Sequence, residues 1–249
     1  FYPNQQLDRL AQLAATTDGK ITATDAKKAA DSDHGIEVAL FGRMVADSKD
    51  LNVDSAVQVA HALSTHAVEI ESDYFTAVDD YKLDEDDAGA GMIGTVEFTS
   101  ETLYRFATVA VSTLKDNLGD VDLTAQAASA FVRGFIMSMP TGKQNTFANN
   151  TIPDAVVVQV RKGRSASFIG AFEDPVTSDD GGFVAASCQA VAAYAHDCEE
   201  AFLGAPEASF VTRVGSRTEA IGTMGTQMPI DDLVSSVRDQ VTSLLQDES

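Results

Sequence analysis

"DLTAQAASAFVRGFIMSM", residues 122–139, places apolar side chains at Ala125, Ala128, Phe131, Val132, Phe135 and Ile136. That spacing follows the 3.6-residue period of a helix with one buried face. Asp122 stands where a side-chain N-cap belongs, and Pro140 ends the pattern. Before this helix, "TVEFTSETLYRFATVAVSTL" (95–114) reads as strand, turn, strand. After it, "DAVVVQVRKG" (154–163) and "SASFIGAFED" (165–174) read as a strand pair around "KGRS". "GGFVAASCQAVAAYAHDCEEAFLG" (181–204) is a second strong helix, "ASFVTRV" (208–214) a strand, and "IDDLVSSVRDQVTSLL" (230–245) a terminal helix.

From about residue 100 the order is therefore β, α, β, β, α, β, with one helix added. That order defines an α+β fold with a ferredoxin-like, or RRM-like, sheet. Towards the N-terminus, Leu7, Leu10, Leu13 and Ala14 lie at helical spacing within residues 1–17, and "TATDAKKAADSD" (22–33) reads as a short polar helix. "HGIEVALFGRM" (34–44) alternates and reads as extended up to Gly42. Val57, Val59, His61 and Leu63 also alternate, so residues 52–80 read as a strand entering a long excursion.

The chain has 249 residues, enough for one large domain or two smaller ones. It carries 38 acidic and 17 basic residues, a net charge of −21. Taken alone, that balance argues against nucleic-acid binding, because phosphate contacts need clustered cations. A local groove can nevertheless be basic on an acidic protein. No apolar run approaches the ~20 residues of a membrane span, and no leader pattern is visible. The sequence starts at Phe1 rather than Met, which reads as a fragment or a processed product. Cys188 and Cys198 lie ten apart on one predicted helix, roughly 15 Å along its axis and too far for a disulfide. Two buried free thiols of a cytoplasmic protein are expected.

"GAGMIG" (89–94) matches the G-x-G-x-x-G dinucleotide fingerprint. That fingerprint must follow a strand and open a helix, so that pyrophosphate meets the helix N-terminus. Here it follows the acidic "KLDEDDA" and precedes the strand-like "TVEF". Both contexts are wrong, and the glycines read instead as the tip or return of a hairpin. No cofactor is expected. His61 and His66 are five apart, which suits no metal pair, and they read as ordinary polar or core histidines. Asp79, Asp80 and "DEDD" (84–87) can hold a divalent metal, but a solvated acidic loop is the commoner case. Neither a resident metal site nor a catalytic residue set is expected.

Three blocks in order and spacing resemble one family: "GIEVALFGRM" (35–44); "VAHALSTHAVEIESDYFTAVDD" (59–80) with "GAGMIGTVEFTSETLYRFATVAVSTLKDNLG" (89–119); and "MPTGKQNTFANNTIPDAVVV" (139–158). They look like the CasC-type backbone subunit of the type I-E CRISPR surveillance complex, Cascade. The resemblance implies a hand-shaped protein. Residues 1–56 would be a partial helical finger domain, 57–67 a palm strand, 68–98 a β-hairpin thumb, and 99–249 an RRM-like palm. Copies would stack along a CRISPR guide RNA, each thumb folding over a kink in it, so that the bases are presented to target DNA. Implied partners are the guide RNA, target DNA through it, neighbouring copies and other complex subunits, with no membrane.

Residue by residue, the resemblance implies RNA contacts at Gly42, Arg43 and Met44, with Met44 a wedge. It also implies contacts at Tyr74, Phe75 and Thr76, and at Met92, Ile93 and Gly94 on the thumb's return, with Gly94 at a tight turn. Lys143 and Gln144 are candidate RNA contacts on a loop, and Lys20, Lys27 and Lys28 a candidate strip for target DNA. The family's first strand and its basic, serine-rich block are not in this sequence, so the chain alone is expected to bind RNA weakly. Two other readings stand beside this one: a metal-dependent nuclease or other enzyme using the acidic loop, and a protein-only oligomerisation module.

Overall fold

The computed structural model describes residues 2–17, 19–30, 34–77, 92–178 and 182–247. Helices and strands are mixed throughout, an α+β architecture. Its centre is the helix the sequence announces, α5 (Val121–Met137). The N-cap is Asp120 rather than Asp122: its carboxylate accepts the Leu123 N–H at 2.7 Å. Asp122 lies in the first turn, where its charge complements the helix dipole. At the other end Arg105 lies over the Phe135 ring, 4.5 Å from its centroid, and donates to the Phe135 carbonyl at 3.0 Å. It satisfies one of the carbonyls that a helix end leaves open.

α5 serves two cores, which explains its alanines. Ala127 and Ala128 pack with Ala39, Leu40, Ala56, Val57 and Leu114. Ala125 and Ile136 pack against Leu233, Val237, Val241 and Leu245. Those four repeat every fourth residue along the C-terminal helix α8 (Ile230–Asp247), one straight apolar stripe. Val121 and Val132 of α5 pack against the same cluster. Each buried leucine or valine there stabilises the fold by ~1.5–3 kcal/mol.

Two stretches expected to be extended are helical. "IEVALF" forms α3 (Ile36–Phe41), and "VSTLKDNL" forms α4 (Val111–Leu118). Both are short and each carries two β-branched residues, so local preference misleads. Burial decides instead, since Val38, Ala39, Leu40 and Leu114 are all interior. The expected local strand pair is also absent. "SASFIGAFED" contains a 3-10 turn, Ile169–Phe172. β7 (Ala155–Val160) pairs instead with the distant β8 (Ala208–Arg213), antiparallel from Ala155 opposite Arg213 to Val160 opposite Ala208. β9 (Thr226–Gln227) adds in parallel to β8. Val156 and Val158 face the α5–α8 core. Ala155 and Val157 face the other side, where Val211, Ile221 and Cys188 are buried.

The remaining strands form one long antiparallel hairpin. β1 (Val57–Val59) pairs with β6 (Ala107–Val109), β2 (Leu63–Ser64) with β5 (Leu103–Tyr104), and β3 (Glu71–Ala77) with β4 (Met92–Phe98). Val57 opposes Val109, but Leu63 opposes Tyr104, so the register slips between the first two pairs. A further slip places Glu71 opposite Phe98. Such irregularities bend a ribbon and re-aim its far end. At the second slip the ribbon is held by α7 (Val184–Cys198). The Ser187 hydroxyl donates to Thr65 Oγ1 at 2.8 Å, and the His66 ring stacks on Phe183 with centroids 3.7 Å apart. His66 Nε2 accepts the Thr102 N–H at 3.0 Å, and Nδ1 lies 2.8 Å from the Ala67 carbonyl as its donor. His66 is thus a structural histidine, as its spacing from His61 suggests.

Both cysteines are free; Cys188 is buried and Cys198 half-buried. Burial, with the Asp154 carboxylate nearby, pushes the Cys188 thiol up to about 11. A folded-state value above the ordinary thiol value of ~8.5 favours folding fully at neutral pH. That contribution is lost as pH rises through about 9 towards about 11. The thiolate is the reactive species. At pH 8, iodoacetamide is therefore expected to alkylate Cys198 at least about 10-fold faster than Cys188 in the folded chain. Mass spectrometry of timed samples reads the two rates; equal rates would contradict the burial.

Candidate nucleic-acid interface

α3 ends at Gly42, which has φ +75°. A Cβ there would lie 2.7 Å from the Val53 carbonyl oxygen and 2.9 Å from the Ser55 nitrogen. Backbone conformation and space both require glycine. The turn brings Arg43 against Val53, each N–H donating to the other's carbonyl at 2.9 Å. Arg43 then points inward and is 8% exposed. Its Nε and Nη2 donate to the Leu51 carbonyl at 3.0 and 2.8 Å, and Nη1 donates to Gln6 Oε1 at 3.0 Å. The Tyr2 ring lies 5.3 Å from the guanidinium. The arginine clamps α1 (Asn4–Thr16) to the bracket formed by residues 43–53. Met44 emerges from that bracket 85% exposed. The Val45 N–H, donating to Asn52 Oδ1 at 2.6 Å, fixes the chain just beyond it.

The second group of candidates lies on the β3–β4 hairpin. Every residue of β3 is exposed. Opposed residues in an antiparallel pair share a face. Tyr74, Thr76 and Ile93 therefore lie on one face, with Tyr74 61% and Ile93 63% exposed. Phe75, Ala77, Gly94, Val96 and Phe98 lie on the other. Gly94 is a strand residue opposite Phe75 rather than a tight turn. A Cβ on Gly94 would lie 2.7 Å from Phe75 Cζ, so the glycine gives the ring a bed on the neighbouring strand. Phe75 remains 38% exposed. Gly89 and Gly91, and the acidic stretch 79–87, lie outside the described residues, as does the side chain of Met92.

Lys143 and Gln144 lie at the start of a one-turn helix, α6 (Gln144–Phe147), and residues 140–152 are all exposed. Lys143 has φ +60° and Ala148 φ +50°, the described non-glycine residues in the left-handed region. Phe147 reaches the hairpin, its ring 5.8 Å from that of Phe98. The lysine strip is only partly free. Lys27, on α2 (Ala23–Ala30), is paired with Asp50 at 3.0 Å, whereas Lys20 and Lys28 are exposed. The Lys27 ammonium holds the Asp50 carboxyl below its usual range. The structure therefore gathers Tyr74, Phe75, Thr76, Met92, Ile93 and Gly94 on one ribbon. It places Met44 on its own bracket, Lys27 and Lys28 on α2, and Lys20 in the connection between α1 and α2.

Sequence reasoning missed Gln6, Arg105, Phe98 and Phe147. The last two are aromatic residues in otherwise polar stretches, "EFTSE" and "KQNTFANN", and that contrast was the available signal. No group of metal-binding residues is present among the described residues.

Residues 1–236 match the model of the CT1975-like protein family, so the chain belongs to that family. Among solved structures, a chain of a "CRISPR RNA-guided surveillance complex, pre-nicking" is 34% identical with a TM-score of 0.78. The match covers 92% of the present chain and 63% of that one. A chain of a "CRISPR RNA-guided surveillance complex" is 31% identical with a TM-score of 0.71, covering 94% and 85% respectively. The present chain thus spans under two thirds of the length of the first. Comparison with curated proteins finds no match. Fold and sequence together make the chain similar to subunits of RNA-guided surveillance complexes.

Proposed function

We propose that this chain is a non-catalytic backbone subunit, of the CasC type of a type I-E complex, that holds CRISPR guide RNA in the cytoplasm. The observation that carries the reading is the β3–β4 hairpin. It presents Tyr74, Phe75 and Ile93 to solvent, and among its described residues none is buried. A two-stranded hairpin is marginal in water, and exposed apolar side chains on one mark a binding surface. Aromatic and apolar groups suit unstacked bases, at ~1–3 kcal/mol per base. In this reading the hairpin is the thumb, α1–α3 belong to the finger domain, and the sheet with α5, α7 and α8 forms an RRM-like palm. Met44, Tyr74, Phe75, Thr76, Met92, Ile93 and Gly94 form the wedge and its support.

Gly42 and Arg43 position Met44. Lys143 and Gln144 approach the RNA backbone, and Lys20 and Lys28 face target DNA. Copies stack along the guide, which reads the target by base pairing.

The test is co-expression of the protein with its complex partners and a guide RNA. RNA of guide length is expected to co-purify, with a raised 260/280 nm ratio that persists with EDTA. Assembly without RNA would favour a protein-only module, and chelator-sensitive RNA cleavage an enzyme.

A further inference from the structure

The β3–β4 hairpin leaves the body of the protein as a bare ribbon. Among the described residues, a ring contact joins its base to another element, Phe98 on Phe147. Phe98 stands opposite Glu71 at the base of β4, on the face that also carries Phe75 over Gly94. Phe147 closes α6, whose one turn is bounded on both sides by left-handed residues, Lys143 and Ala148. The Phe147 and Ala148 N–H groups donate to the Lys143 and Gln144 carbonyls at 2.9 Å, closing that turn. A non-glycine residue held at positive φ is uncommon, and two around one turn give a compact, specified loop. The loop carries no buried residue that would account for it. What it delivers is an aromatic ring to the base of the hairpin.

We propose that Phe147 is a positioning residue for the thumb. The left-handed pair at Lys143 and Ala148 presents its ring as a prop under Phe98, setting the angle at which the hairpin meets RNA. The root of the ribbon is fixed to α7 through Thr65 and His66. With a prop at Phe98 the base is held at two places, which converts a free ribbon into an aimed one. The inference rests on the reading of the hairpin as an RNA-gripping thumb. It adds that loop 140–152 and the thumb act as one unit, so Lys143 moves with the hairpin it flanks.

Two variants test this by different routes. Phe147→Ala removes the ring. Ala148→Val leaves the ring intact but places a β-branched residue at φ +50°, which that conformation disfavours. Both positions are exposed, so the body should fold normally. Hydrogen exchange on the free protein is expected to show amides 71–77 and 92–98 exchanging at least about threefold faster in both variants, with α5 and α8 unchanged. Phe147→Tyr is expected to restore the parent rate. In the assembled complex both variants should blur the spacing of nuclease protection along the guide RNA. Unchanged hairpin exchange in both variants would overturn the prop. So would a change in Phe147→Ala alone with Ala148→Val unaffected, because the loop geometry would then not deliver the ring. Because exchange is read without RNA, this outcome is separable from failure of the RNA-holding function itself.

Discussion

Replacing Arg43 by alanine is expected to lower stability by about 3 kcal/mol, a fall of about 6–12 °C in Tm for a chain of this size. The guanidinium makes three hydrogen bonds in a site that is 8% exposed. Its removal takes a charged donor from the buried Leu51 carbonyl and from the Gln6 amide, and a hydrogen bond to a charged group contributes about 1.5–3 kcal/mol. Arg43→Lys should rescue little, because a point charge cannot span Leu51 and Gln6 as a planar fork does. Differential scanning calorimetry reads the effect. If Arg43 touched RNA directly, the variant would lose RNA while melting normally.

The second large effect is on RNA. In the assembled complex, the triple variant Met44→Ala, Tyr74→Ala, Ile93→Ala is expected to weaken retention of guide RNA by more than about 100-fold. Tyr74 forfeits ~1 kcal/mol or more of base stacking, and Met44 and Ile93 each forfeit ~1 kcal/mol or more of apolar burial, about 3 kcal/mol together. All three are at least 61% exposed, so the melting temperature of the free chain should hardly move. Retention is measured as RNA per mole of complex after washing in rising salt. A stable variant that keeps parental RNA content would show that the hairpin is not the grip.

Much of the fold is legible in the residues because its long helices are strongly periodic. Leu233, Val237, Val241 and Leu245 announce α8, and the alanine-rich face of α5 is plain at first sight. β7 and β8 are equally clear as strands. Their partnership is not, since more than forty residues separate them and local pattern says nothing about distant pairing. α3 and α4 were obscured by β-branched residues in short segments, where burial against α5 outweighs propensity. Asp120 and Asp122 both suit the helix cap by residue type, and only the geometry at Leu123 N–H assigns it to Asp120.

The candidate site divides in the same way. The candidate positions Met44, Tyr74 and Ile93 came from resemblance. Their exposure distinguishes them from core residues, which composition alone favours. The inward turn of Arg43 depends on Gln6 and Leu51, neither of them adjacent to it in sequence. The role of Gly94 depends on a ring on the opposite strand. Such dependencies between distant segments leave no periodic trace.

Cross-linking by ultraviolet light in the assembled complex, followed by mass spectrometry of RNA-bound peptides, tests the central claim most directly. The account predicts adducts in the peptides holding Tyr74–Phe75 and Met92–Ile93, and in the one holding Met44. Adducts confined to the outer face of α8 or to the β7–β8–β9 sheet, with none on the hairpin, would contradict it.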